Sequence, residues 1–505
     1  MSVFLRQVKI ENGWVQGIPA ADPRITVFKG VPYAKPPVGK LRWCAPQPAE
    51  DWEGVLPCKE FAPISMQTPP GLNPDIVYTR EWNVDPEIPM SEDCLYLNIW
   101  TPARRDGNEK FPVFVWYFGG GLKEGNTAEM EFDGERIARR GVVVVTVNYR
   151  VNTFGFLCHP EITAESPDAP ANFGHLDQQF GTRWVKKNIA AFGGDPGNIT
   201  IGGQSAGGMS VCAQLCCQEN QGLFQKAIIM SGIVANNFGD FPRFNIGLEE
   251  AERDGEKFFS FLGVKTLAEA RALDAAYIRD KTTEYNRMFG TIVDGRFQKG
   301  SNVTMMRAGN RLDVPIMVGW TNNEFFVGPA GDNARSLEAD LRRCMEPDEA
   351  NALIALAKPE KDPDAARQML TYVSPEMGCR VFLKGDEAAG TKALRYAYEF
   401  GPTIPGDSAG AFHSSDLWFF FETLAKCWRP FDGHHYDLSR KMCNYWCNFF
   451  RTGDPNGKDA DGTPMPRWKP YTEANPAVIR FHDQVELCEE PPRRHTQIYI
   501  DSFLR

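Results

Sequence analysis

The chain lacks a long apolar run. Its richest β-branched stretch, Val142-Val143-Val144-Val145-Thr146-Val147, has the length of a buried strand. It falls far short of the roughly twenty residues that a bilayer-spanning helix needs, so no membrane association is expected. A basic, apolar leader is missing as well. Met1 to Ile10 alternates like a first strand, and no signal peptide is read there. Basic runs are absent: 55 lysines and arginines face 65 acids, for a formal net charge of −10. With no cationic stripe to meet phosphates, nucleic acid is excluded as an expected partner. There is no internal repeat and no low-complexity tract, which sets aside solenoids and disordered linkers.

Paired cysteine spacing is also lacking. The 13 cysteines are odd in number and scattered, with Cys212, Cys216 and Cys217 on one expected helix and Cys443 and Cys447 on another. Neither group has the C-x-x-C pairs of a structural zinc site. They read as small buried hydrophobes in a reducing compartment, and the cytoplasm is the expected location. Histidine is scarce, with 7 in all. That scarcity narrows the choice of any general base.

What is present is an alternation of strand-like and helical runs. Pro112 to Phe118, the valine run, Ile199 to Gly202, Ala227 to Met230, Val314 to Gly319 and Leu394 to Phe400 read as strands. The Leu176, Phe180, Trp184, Val185 stripe between two of them recurs at helical spacing. Near-continuous apolar strands separated by helices imply an α/β fold with a mainly parallel sheet covered on both faces. No clean linker divides the 505 residues, so one domain over 1–505 is expected. The charged helical pattern around 235–310 and 325–392 reads as cap or insertion segments.

Gly203-Gln204-Ser205-Ala206-Gly207 stands between the Ile199 strand and a helical stretch from Gly208 to Leu215. Strand, tight turn and helix form the setting of a nucleophile elbow, with Ser205 exposed on the turn and helix N–H groups aimed at it. A serine hydroxyl is a poor nucleophile at neutral pH and needs a base, an orienting acid and an oxyanion hole. On such a sheet the order is serine, acid, histidine. That order removes His159 and His175. His413, on the small-residue loop after the Leu394 strand, lies at the end of a strand where a parallel sheet places its site. His434 and His435 sit in a polar turn beside Asp432 and are expected to be exposed, with no further metal ligands evident. Glu324, after the Val314 strand, can orient the His413 ring, although alone it reads as a surface carboxylate at a helix start. Asp294 in Val293-Asp294-Gly295 is the competing acid, though Asp-Gly reads first as a turn. Gly119-Gly120-Gly121, directly off the Pro112 strand, supplies unobstructed backbone N–H groups for an oxyanion, with Ala206 as a further donor.

These residues belong to a wider pattern. Phe28-Lys29-Gly30-Val31-Pro32-Tyr33-Ala34, Ser91 to Trp100, Asn148-Tyr149-Arg150, Asn172-Phe173-Gly174, Phe192 to Pro196 and Gly453-Asp454-Pro455-Asn456 resemble the type-B carboxylesterase/lipase family. This is the cholinesterase-like branch of the α/β-hydrolases, and the likeness is to a bacterial-type or intracellular member. The resemblance implies an α/β-hydrolase fold and a serine esterase acting through an acyl-enzyme on small to medium, possibly aromatic carboxylic esters. It implies Ser205, Glu324 and His413 as the triad, and Gly120, Gly121 and Ala206 as oxyanion donors. It implies no cofactor, and a small-molecule ester as partner. Nothing in the sequence sets an oligomeric state. Two other readings stand beside it: a non-catalytic adhesion member, and the same triad acting on thioesters, amides or lipid esters.

Departures from the pattern carry expectations of their own. Cys94 has Met66 where many secreted relatives have its disulfide partner. Phe118 and Leu122 stand where His or Tyr and Phe are common, so the entrance side of the pocket is expected to be altered. Phe325 replaces a common glycine, and Gln204 a frequent glutamate. Trp82 lies near a choline-binding position without its spacing and reads as a core or pocket-wall ring.

Overall fold

The computed structural model describes residues 3–71, 73, 75–82, 85, 87–238, 245–459 and 461–504, with the backbone alone at Val303 and Arg307. Met1 and Ser2 of the expected first strand, and residues 239–244 of the expected 235–310 insertion, lie outside the described residues.

An 11-stranded sheet organises the molecule. In chain order its strands are β1 (Ile18–Pro19), β2 (Thr26–Pro32), β3 (Tyr96–Thr101), β4 (Phe111–Tyr117), β5 (Val143–Val147), β6 (Gly194–Gln204), β7 (Lys226–Met230), β8 (Ile316–Thr321), β9 (Arg395–Phe400), β10 (Val478–Phe481) and β11 (Val485–Cys488). Across the sheet they run β11-β10-β9-β8-β7-β6-β4-β5-β3-β2-β1. Every pairing from β10 through β5 is parallel, and antiparallel strands close both edges. All residues of β5, β7 and β8 are buried. Since successive side chains point to opposite faces, both faces of the sheet are covered there.

The helices that matter to the site are α1 (Val77–Trp82), α2 (Phe173–Asn188), α3 (Ala206–Cys216), α4 (Leu248–Leu262), α5 (Ser374–Ala388) and α6 (Gly433–Thr452). α3 packs on β6 and β7, α5 on β8, and α6 on β4. Aromatic side chains cement the last contact: Phe114 of β4 stacks on Phe450 of α6 at 4.4 Å between ring centres. The long stretches between β7 and β8, and between β8 and β9, are mostly helical: α4 with Leu267–Ala272 and Ala275–Tyr285, then Ala334–Cys344, Pro347–Ala357, Pro363–Leu370 and α5.

Two local readings are corrected, one for Phe118 with Leu122 and one for His435. The expected N-terminal strand forms as Gln7–Ile10, in a separate three-stranded sheet with Gly13–Gln16 and Val55–Pro57. Its side chains alternate between exposed and buried, which suits a ribbon with one wet face, unlike the fully buried central strands. Phe118 and Leu122 do not line an entrance: both are fully buried, and Phe118 stacks on Tyr149 at 4.1 Å. His435 is buried, with Nε2 at 2.9 Å from the Thr403 carbonyl. Asp432 gathers with both histidine rings, their ligand atoms lying within 4.8 Å of one another. Its carboxylate and the His435 ring together cap the N-terminus of α6. All 13 cysteines carry free thiols, and Cys94 and Met66 are both buried.

Candidate active site

The site assembles where adjacent parallel strands end. Gly119-Gly120-Gly121 follows β4, Ser205 follows β6, Glu324 follows β8 and His413 lies on the loop after β9. β9, β8, β7, β6 and β4 are consecutive neighbours in the sheet, so loops far apart in sequence converge at one end of it.

Ser205 sits between the last residue of β6 and the first of α3 with φ 55° and ψ −124°, a conformation costly for a residue with a Cβ. The turn is held because the Ser205 N–H donates to the Met230 carbonyl at 2.8 Å. Its tightness dictates the flanking glycine. A Cβ at Gly207 would lie 2.1 Å from the Tyr117 carbonyl oxygen, so any larger residue would push α3 off β4. The glycine turn meets the serine directly: a Cβ at Gly119 would be 3.3 Å from Ser205 Cβ. Gly120 and Gly121 both have positive φ, and the Gly120 carbonyl accepts from the N–H groups of Lys123 and Glu124, closing the turn. Ala206 opens α3 immediately after the serine.

Acid and histidine are brought into contact. Asn323 and Phe412 form a parallel backbone bridge, and one residue further on His413 Nδ1 hydrogen-bonds Glu324 Oε2. Both residues are buried. The other carboxylate oxygen, Oε1, accepts from the Ser231 hydroxyl and the Thr321 N–H, each at 2.9 Å. Asp294 is not near this pair. It accepts from Asn172 Nδ2 at 2.8 Å and from the N–H groups of Arg296 and Gln298 in its own turn.

Ser231, Asp416, Met288 and Tyr78 escaped the sequence reading, and Gln204, Phe325 and Trp82 stood in it only as departures from the family pattern. Gln204, buried just before the elbow, places its side-chain Nε2 3.3 Å from His413 Nε2. Ser231 is the first residue after β7, with φ 46°, and that strand-end position was its one signal. Asp416, fully buried three residues beyond His413, accepts from the Tyr398 hydroxyl at 3.1 Å, and burial with the nearby Glu324 charge pushes its carboxyl up to about 7. Met288 brings its methyl to 3.9 Å from where a Gly121 Cβ would stand. Phe325 lays its ring on His413 at 4.4 Å while remaining 43% exposed. Tyr78 of α1 packs edge-on against Phe412, and its hydroxyl is pushed up to about 12 by burial and the Glu324 charge. Trp82 packs on Trp418 at 5.5 Å.

A profile of the carboxylesterase family matches residues 5–371 and 352–498. The chain belongs to the carboxylesterase family. Acetylcholinesterase of Bungarus fasciatus is 29% identical to it over 525 residues, spanning 97% of this chain and 84% of that one. A solved structure of PNB esterase superposes with a TM-score of 0.77 at 27% identity, covering 98% of this chain and 99% of the other. The carboxylesterase EST55 of Geobacillus stearothermophilus superposes with a TM-score of 0.76 at 30% identity, covering 98% and 100%. The fold of this carboxylesterase is accordingly that of the α/β-hydrolases, and its reaction is hydrolysis of carboxylic esters. Among the described residues, no helix is long and apolar enough to cross a membrane.

Proposed function

We propose that this carboxylesterase works through Ser205 as nucleophile, His413 as base and Glu324 as the acid that orients it. The observation that carries the reading is the Glu324–His413 hydrogen bond beside the Ser205 elbow. Glu324 as a carboxylate only accepts, so it fixes the ring proton on Nδ1 and leaves the Nε2 lone pair for the serine proton. As Ser205 Oγ attacks the ester carbonyl carbon, His413 Nε2 takes its proton. The carbonyl oxygen, now an oxyanion, is stabilised by the N–H groups of Gly120, Gly121 and Ala206. The tetrahedral species collapses, His413 returns the proton to the leaving alkoxide, and an acyl-Ser205 remains. Water then repeats the sequence and frees the acid.

The substrate class we infer is a small to medium carboxylic ester, aromatic groups included. Met288 beside Gly121, Phe325 over His413 and Tyr78 against Phe412 give the surroundings an apolar, ring-rich character. The residues named carry out this chemistry without a cofactor. We place the enzyme in the cytoplasm on its 13 free thiols, and read the chain as one working domain.

Replacement of Ser205 by Ala, or His413 by Ala, is expected to lower turnover of p-nitrophenyl acetate by about a thousandfold or more with the circular-dichroism spectrum unchanged. Fluorophosphonate labelling should vanish in Ser205→Ala. Either variant retaining activity within a few-fold would remove its residue from the mechanism.

A further inference from the structure

We infer that Gln204 is a positioning residue that serves His413 in both of its protonation states, an assignment that rests on the reading of His413 as the base. Gln204 is the last residue of β6, 209 positions before His413 in the chain, and its side chain is buried. Its Nε2 faces His413 Nε2 at 3.3 Å, and its Oε1 lies 3.2 Å from where a Gly119 Cβ would stand. The carboxamide therefore spans the space between the glycine turn and the imidazole.

With Glu324 holding the proton on Nδ1, Nε2 of the resting ring carries a lone pair. An amide N–H donates to that lone pair and stabilises the neutral ring. Once Nε2 has taken the serine proton, the same amide would set a donor against a donor. Rotation of the carboxamide by half a turn presents Oε1 instead, which accepts from the imidazolium. A carboxamide can meet both states; a carboxylate at this position meets only the protonated one, and an apolar side chain meets neither. Ser205 and Gln204 thus address the same nitrogen, and the amide keeps it satisfied until a substrate brings the hydroxyl into line.

The titratable groups around the Glu324–His413 pair are Asp416 on the histidine's own loop, facing both, and Tyr398 of β9, Cys379 of α5 and Tyr78 of α1, facing Glu324. A change at Gln204 leaves all of them in place. The test compares Gln204→Glu and Gln204→Met with the parent enzyme, using kcat/KM for p-nitrophenyl acetate across pH, normalised to sites titrated with a fluorophosphonate. In Q204E the carboxylate favours the imidazolium, so the acid limb of the profile should move up by half a pH unit or more, with activity falling most steeply at low pH. In Q204M kcat should drop about tenfold with KM little changed, because neither protonation state keeps its partner. A Q204E limb within 0.2 unit of the parent, or a Q204M kcat within twofold of it, overturns the assignment. Failure of the triad reading is seen separately, as retained activity in Ser205→Ala or His413→Ala.

Discussion

Asp416 is a single buried carboxyl near His413 that shapes how stability depends on pH. Its side chain is fully buried, one oxygen is held by Tyr398, and its carboxyl is pushed up to about 7 from the usual range. The folded chain therefore holds a proton there that the unfolded chain has released above about pH 4. Stability from this group is fully present at low pH and is lost as pH climbs through 4 towards 7, the reverse of a salt-bridged aspartate. Asp416→Asn keeps the acceptor for Tyr398 and removes the charge. Its thermal midpoint should match the parent within about a degree at pH 4 and exceed it by a few degrees at pH 8, read by calorimetry. Equal midpoints at both pH values would show that the carboxyl ionises without cost. Individual residues divide sharply in how far they could be read from sequence. Ser205, Glu324 and His413 stand at strand ends in a fixed order, which local pattern reveals. Ser231 and Asp416 act through side chains that meet only after distant loops have folded together, so no spacing announces them, and Gln204 stands out in sequence only as a departure from the family's glutamate.

At the scale of elements, α1 is fastened to the loop that carries His413 by a buried ionic knot. Glu81 of α1 accepts from Arg429 Nε at 2.8 Å, Trp418 Nε1 at 3.0 Å and Trp428 Nε1 at 3.1 Å. Arg429 in turn reaches Asp407 and the Pro405 carbonyl, both at 2.9 Å. The same short helix presents Tyr78 to Phe412, next to His413. Removing one partner of a buried pair strands the other, at a cost of about 3–5 kcal/mol. Glu81→Ala should therefore lose stability of that order in urea and lower kcat/KM as Tyr78 leaves Phe412. Glu81→Gln, which still accepts, should lose less of both. An unchanged urea midpoint in Glu81→Ala would show the knot to be dispensable. Elements themselves were unevenly legible. The central strands announced themselves by unbroken apolar runs, and β6 proved longer than its apolar segment because Gly194 to Asn198 pairs at its start through Phe111. The small N-terminal sheet was not legible, since alternation fixes which face is buried but not which sheet a strand joins.

For the whole molecule, composition and strand pattern led to the α/β-hydrolase fold because a parallel sheet buried on both faces leaves a strong mark on sequence. The long helical stretches on either side of β8 left only a vague charged pattern, as surface helices are set by docking rather than by propensity. The order of strands has one more consequence, which concerns time. The glycine turn follows β4 and the elbow follows β6, in the first half of the chain, while His413 lies on the loop after β9, where its neighbour Phe412 bridges Asn323 only when that strand has joined β8. Contacts of such large sequence separation form late. On the proposed triad, a nascent chain thus carries Ser205 long before it carries the base to use it, and stays inert towards acyl donors until its last third arrives. On refolding from urea, recovery of tryptophan fluorescence should precede recovery of ester turnover and of fluorophosphonate labelling. The latter two should rise together, because competence is conferred in a single closing step at the far side of the sheet.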